Sequence, residues 1–173
     1  MSSGEKIQRW EAWNQAKMLI GHLNGVCQRA EIAGSLRRGK AMVGDIEIVC
    51  IPNEASDLFG NSSYLWGDVR DALSMFKMIK GGDHYQQYEL AICKADVFVT
   101  TREQWGVIFA IRTGGAAFSR RLVTTINYGG YMPEGMYIDG GRLWKSGVLI
   151  DTPEEEDLFH EMGLVWIPPE KRG

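Results

Sequence analysis

At 173 residues, 45% hydrophobic and 24% charged, the chain has enough apolar content to bury a core and lacks the bias of a disordered or fibrous protein. No apolar run approaches the length of a membrane span, and the polar N-terminus carries no signal-peptide stretch, so a soluble, non-secreted protein away from membranes is expected. The net charge of −3 argues against a strongly basic nucleic-acid binder, yet the acids concentrate in residues 151–161 while residues 37–40, 77–80 and 112–121 are locally basic, a distribution that permits weak, salt-sensitive binding.

The periodicity predicts a helix over residues 5–27, with Trp10, Trp13, Ala16, Ile20, Leu23 and Cys27 on one apolar stripe that packs on a sheet. Residues 29–33 read as a short strand leading to Gly34-Ser35, followed by Arg37, Arg38 and Lys40. Backbone N–H groups and positive charge in such a turn suit a polyphosphate. The next strand alternates, with Ile46, Ile48 and Cys50 on one face and Asp45, Glu47 and Val49 on the other. Two neighbouring acids on one strand face repel each other, and a divalent cation relieves that cost; hard carboxylate oxygens suit magnesium or manganese. Residues 34–40 also fit G-x-x-x-x-G-K, but Ala41 stands where a P-loop needs Ser or Thr, and a strand rather than a long helix follows.

Residues 53–63 read as a polar loop, with Ser62 or Ser63 capping a helix that carries Leu65, Val69, Ala72, Leu73 and Phe76 and stops at Gly81-Gly82. Strands are expected over residues 85–92 and 94–99, the second placing Asp96, Phe98 and Thr100 on one face. A helix is expected over residues 116–126, turning Phe118, Leu122 and Ile126 inward. Residues 136–145 form a hairpin turning at Asp139-Gly140-Gly141, and Thr152-Pro153-Glu154-Glu155 reads as a capping box opening a last helix. Cys27, Cys50 and Cys93 stand singly in apolar contexts and read as free thiols in a reducing compartment, without the paired spacing of a zinc site.

The run Gly34-Ser35-Leu36-Arg37-Arg38-Gly39, the strand Val43-Gly44-Asp45-Ile46-Glu47 and the later Asp96 together resemble the signature of the family X DNA polymerases, the nucleotidyltransferases of the DNA polymerase beta type. The resemblance extends to Thr113-Gly114 and to the Pro168-Pro169 ending, although Arg112 stands where the family has an aromatic residue, and Glu47 where many members have Asp. It implies an α+β fold: a nucleotidyltransferase palm over residues 1–111, a mixed β-sheet with helices on one face, followed by a small α/β thumb over residues 112–173. It also implies a minimal, viral-type form without the lyase and helix-hairpin-helix modules of larger members, in the cytoplasm or in a virus- or phage-infected host cell.

On the same basis Asp45, Glu47 and Asp96 are the catalytic and metal-binding acids for two magnesium ions, with manganese able to substitute. Gly34, Ser35, Arg38, Gly44, Thr113 and Gly114 would bind the incoming dNTP, and Lys94, Ser119 and Arg120 would meet DNA. The implied activity is DNA-directed DNA synthesis by a monomer on primer-template or gapped DNA, in short-gap filling. A template-independent or non-DNA nucleotidyltransferase, or a DNA-binding scaffold with weak catalysis, remains an alternative reading of the same residues.

Overall fold

The computed structural model describes residues 6–173, and the chain divides into two compact units, one ending at Thr101 and the other running from Arg102 to Gly173. Strand β1 (Ile7–Gln8) leads into helix α1 (Arg9–Leu23), then strand β2 (Cys27–Ile32), a short helix α2 (Gly34–Arg37), and strands β3 (Met42–Val43) and β4 (Asp45–Pro52). After these come strands β5 (Glu54–Ser56) and β6 (Ser62–Tyr64), helix α3 (Trp66–Ala72), and strands β7 (Lys77–Lys80), β8 (Tyr85–Glu89) and β9 (Lys94–Val99). The central sheet has the order β2-β4-β9-β8-β7, with β4 and β9 parallel and the other neighbours antiparallel.

One face of this sheet is the core. Ile46, Ile48 and Cys50 of β4 and Ala95, Val97 and Val99 of β9 are buried there with Ala12, Ala16, Leu19 and Leu23 of α1 and Val69 just inside α3. The helix expected over residues 5–27 is therefore shorter, because Ile7 and Gln8 pair with Val43 and Met42 and Cys27 already belongs to β2; Glu5 lies outside the described residues. Its buried stripe keeps Ala16 and Leu23 as expected but takes Ala12 and Leu19 in place of the tryptophans. Trp10 is 65% exposed and Trp13 38%, while the small Ala12 and Ala16 let the helix approach the sheet more closely than indoles would allow.

The expected polar loop at residues 53–63 holds a hairpin instead: Glu54, Ala55 and Ser56 pair with Tyr64, Ser63 and Ser62. The Asp57 carboxylate closes its turn by accepting the N–H groups of Phe59 (2.8 Å) and Asn61 (2.9 Å). Ser62 and Ser63 thus cap no helix; Leu65 occupies that position, and α3 ends at Ala72, well before Gly81. Strand β7, which the sequence did not announce, fills the gap, and β8 stops at Glu89 rather than residue 92. All three cysteines are free, Cys27 and Cys50 buried.

In the second unit, helices α4 (Trp105–Thr113) and α5 (Ala116–Leu122) precede an antiparallel sheet of β10 (Met136–Asp139), β11 (Arg142–Lys145) and β12 (Val148–Ile150), then helix α6 (Glu155–Glu161). The β10–β11 hairpin turns where expected, at Asp139-Gly140-Gly141, with β12 added. Helix α5 is shorter than the expected 116–126: a 3₁₀ turn (Ile126–Tyr128) follows, and Ile126 is exposed rather than inward. The core joins Val107, Ala110, Phe118, Leu122, Leu143 and Phe159.

Helix α6 opens differently from the expectation. Glu154, not Thr152, is its N-cap, its N–H bonded to the Asp157 carboxylate at 2.9 Å. Thr152 is buried, and its carbonyl accepts the N–H of Gly106 at 3.0 Å. A side chain on Gly106 would overlap the carbonyl oxygens of Thr152 and Glu154, both backbone atoms that yield little. Gly106→Ala is accordingly expected to destabilise the second unit by about 1–3 kcal/mol, the usual range for overpacking, and a thermal melt of purified variant against wild type checks it. An unchanged melting temperature would mean that this approach of α4 to the start of α6 is not tight in solution.

Candidate functional site

The face of the central sheet opposite the core collects the polar side chains. In the parallel β4–β9 pair, Asp45 faces Lys94, Glu47 faces Asp96 and Val49 faces Phe98. Residues paired across strands share a face, so Asp45, Glu47, Lys94 and Asp96 lie together on the one that α1 and α3 leave uncovered. The reason is local: each acid alternates with an apolar residue whose burial fixes the strand's orientation, and a slip of one residue would drive Asp45 and Glu47 into the core.

Asp96 is held firmly. Tyr85 Oη and Gln87 Nε2, both from β8, donate hydrogen bonds to its Oδ1 at 2.8 Å each. Both donors fall on one oxygen, which leaves Oδ2 for a further partner. Asp45 reaches solvent, yet the surrounding protein removes enough water to raise its carboxyl pKa; the Asp96 charge adds to the rise, and the Arg38 guanidinium partly offsets it. Asp45 is thus within electrostatic reach of both Asp96 and Arg38.

Glu47 points elsewhere. Its carboxylate lies against Gly34, which has φ +61°, and any side chain at Gly34 would overlap it. Glycine is needed at that position twice over, for the left-handed backbone and for the approach of the acid. Next to it, the Ser35 hydroxyl is buried and has no hydrogen-bond partner among the described residues. An orphaned hydroxyl in a glycine turn flanked by Arg37 and Arg38 suits an anionic ligand that would complete its bonding. The space beside Gly44 is open, with no heavy atom within 4 Å of where a side chain would begin.

Among the described residues, no three His, Cys, Asp or Glu side chains converge closely enough to enclose a metal ion. The donor chemistry still fits a hard divalent cation, because two carboxylates share one open face and the pKa of Asp45 registers their repulsion. For Glu47 to join them, its side chain would have to turn away from Gly34.

The remaining sequence-derived site residues lie in the second unit. Thr113 is buried at the end of α4, and Gly114 caps that helix, packed so closely on Phe118 and Ser119 that a side chain would overlap both. The Ser119 hydroxyl donates to the Ile111 carbonyl at 2.7 Å, so it braces this turn. Arg120 is exposed. The sequence reading missed Tyr85 and Gln87; their only sequence signal is the alternation of β8, which without the β8–β9 register does not say which acid they meet.

Residues 110–173 match the family model described as the DNA polymerase beta thumb. No curated protein matches the chain. The match relates the C-terminal part of the chain to polymerase-beta-type thumbs. Among the described residues no helix is long and apolar enough to cross a membrane.

Proposed function

We propose that the chain is a DNA-directed DNA polymerase of the family X type, adding nucleotides from dNTPs to a primer 3′-hydroxyl, with short gaps as its substrate. The observation that carries the reading is the shared sheet face of Asp45 and Asp96, with Glu47 on the same strand turned towards Gly34 next to the orphaned Ser35 hydroxyl, in a chain whose C-terminal part matches a polymerase thumb. In this reading residues 1–111 act as palm and 112–173 as thumb, and the protein works as a monomer.

Ser35 and Arg38 hold the triphosphate of the dNTP, and Gly34 and Gly44 keep the approach to it clear. Asp45, Asp96 and Glu47 would hold magnesium, or manganese in its place. Bound there, the metal supplies positive charge to the primer hydroxyl and to the departing pyrophosphate. Tyr85 and Gln87 fix the Asp96 carboxylate, so that one oxygen keeps a set direction. The primer oxygen bonds to the α-phosphorus, the bond to the bridging oxygen of pyrophosphate breaks, and the hydroxyl proton passes to solvent. Arg38, with its fixed positive charge, stabilises the leaving group. Thr113 and Gly114 face the nucleotide sugar, and Lys94, Ser119 and Arg120 serve the DNA.

Primer extension on gapped, recessed and single-stranded DNA, with magnesium or manganese and beside Asp96→Ala, tests the proposal. Templated addition is expected for the wild type and at least a hundredfold less for the variant, since even second-shell partners of a metal site cost about 10–100-fold. Untemplated addition that depends on Asp96 would turn the reading to a template-independent transferase. Absence of addition on every substrate would overturn the polymerase assignment.

A further inference from the structure

The outward face of α1 carries a feature that the proposed chemistry does not use. Trp10 and Trp13, three residues apart and on the same side of the helix, are 65% and 38% exposed. They line a groove of about 610 Å³ with Arg9, Asn14, Gly39 and Ala41. A second groove adjoins it, sharing Arg9 and Trp13 and extending to Arg37. Two large indoles left in water are costly to display and mark a surface that meets something.

The charges around them indicate the partner. The Lys17 ammonium sits over the Trp13 ring, 5.7 Å from its centroid. Arg9 lies at the first turn of α1, Arg37 ends α2 and Lys40 lies in the loop that follows it. The side of α1 that bears Trp10, Trp13 and Lys17 continues through Asn14, Gly21 and Asn24 without an acid. The helix's one acid, Glu11, is turned aside to accept the Gln8 N–H at 3.2 Å. Glu31, at the far end of the second groove, is paired with Arg29 at 3.4 Å. Flat aromatic rings interleaved with cations, with carboxylates absent or neutralised, suit a strand of unpaired nucleotides: bases stack on the indoles and phosphates lie along the basic rim. The small Gly39 and Ala41 line the groove beside the indoles.

We propose that Arg9, Trp10, Trp13 and Lys17 form a stacking ledge for unpaired, single-stranded DNA. The assignment rests on the polymerase reading for the identity of the strand, the unpaired template of the primer-template substrate, but the binding itself needs no turnover.

Fluorescence anisotropy of a labelled oligothymidylate, and of an abasic oligonucleotide of equal length, tests this on the full chain. Wild type, Trp10→Ala/Trp13→Ala, Trp10→Phe/Trp13→Phe and Lys17→Ala are compared at fixed low salt. The wild type is expected to bind oligothymidylate more tightly than the abasic strand, and the alanine variant to lose about tenfold or more, the scale of one to two stacked bases. The phenylalanine variant should retain most of the affinity, and Lys17→Ala should weaken both strands and flatten the salt dependence. Trp10 is largely exposed and Trp13 partly buried, so thermal melts beside the titrations separate a loss of binding from a loss of folding, and the phenylalanine variant is expected to melt with the wild type. Equal affinity of the wild type for both strands, or unchanged binding in the alanine variant, would overturn the ledge; so would an effect of the alanine variant confined to self-association. Binding that depends on the tryptophans, in a chain that extends no primer, would uphold the ledge and sink the polymerase reading. Templated extension with tryptophan-independent binding would do the reverse.

Discussion

Asp45→Asn is expected to abolish nucleotidyl transfer, by at least about a hundredfold, and at the same time to raise the melting temperature of the metal-free protein. The two effects have one cause. Desolvation and the Asp96 charge hold the Asp45 carboxyl above its ordinary pKa, and Arg38 offsets only part of this. Wherever pH lies above the raised folded value, the group is ionised in both folded and unfolded chains, and the native state alone carries the penalty. The penalty fades as pH falls through the raised folded value and is gone below the unfolded one. Asparagine keeps the shape and loses the charge, so the variant's advantage in stability should be present at neutral pH and vanish in acid. Magnesium should reverse the ranking at neutral pH, because it stabilises a chain that binds it and leaves the variant where it was. Thermal melts across pH, with and without magnesium and dNTP, read both effects. A variant less stable than wild type without metal would show that Asp45 is held by favourable contacts rather than against repulsion. A variant that still gains stability from magnesium would remove Asp45 from the proposed site.

The acidic strand was legible because two signals coincide there. Asp45 and Glu47 alternate with Ile46, Ile48 and Cys50, and burial of the apolar set leaves the acids one possible face. Asp96 was legible in the same way, between Ala95 and Val97. Helix α1 misled because it contains two stripes at helical spacing, and hydrophobicity favours the one with the tryptophans. The core keeps Ala16 and Leu23 of that stripe and adds Ala12 and Leu19 in place of the tryptophans, a choice made by the space over the sheet, which no local pattern encodes. The β5–β6 hairpin was hidden because its strands, Glu-Ala-Ser and Ser-Ser-Tyr, show no apolar alternation; backbone pairing and the Asp57 turn hold it. The donors on Asp96 depend on the register of β8 against β9. A register is a property of two strands at once, and neither sequence states it alone.

Arg172→Met is expected to cost the second unit about 3–5 kcal/mol, the usual penalty for removing one partner of a buried ion pair. Arg172 is fully buried and bonds both oxygens of Glu155, Nη1 to Oε2 at 2.9 Å and Nη2 to Oε1 at 3.0 Å. Its Nε donates to the Ile167 carbonyl at 2.6 Å, and its guanidinium lies 4.9 Å from the Phe159 ring centroid and 5.5 Å from that of Trp166. Trp166 Nε1 donates to Glu155 Oε1 at 3.1 Å, and the Arg172 carbonyl accepts the Gly115 N–H at 2.7 Å. The last residues of the chain are thereby tied to the start of α6 and to the turn before α5. Methionine fills much of the volume but leaves the Glu155 carboxylate buried with only the Trp166 donor among these bonds. The cost therefore includes a buried carboxylate that has lost the guanidinium paired with both its oxygens, and this makes the account testable. Glu155→Leu/Arg172→Met, which removes both charges, should recover most of the stability that the single variant loses. Hydrogen exchange should show α5 and α6 losing protection in Arg172→Met and regaining it in the double variant. If the double variant is as unstable as the single, the aromatic packing around the guanidinium, rather than the ion pair, is what secures the C-terminal segment.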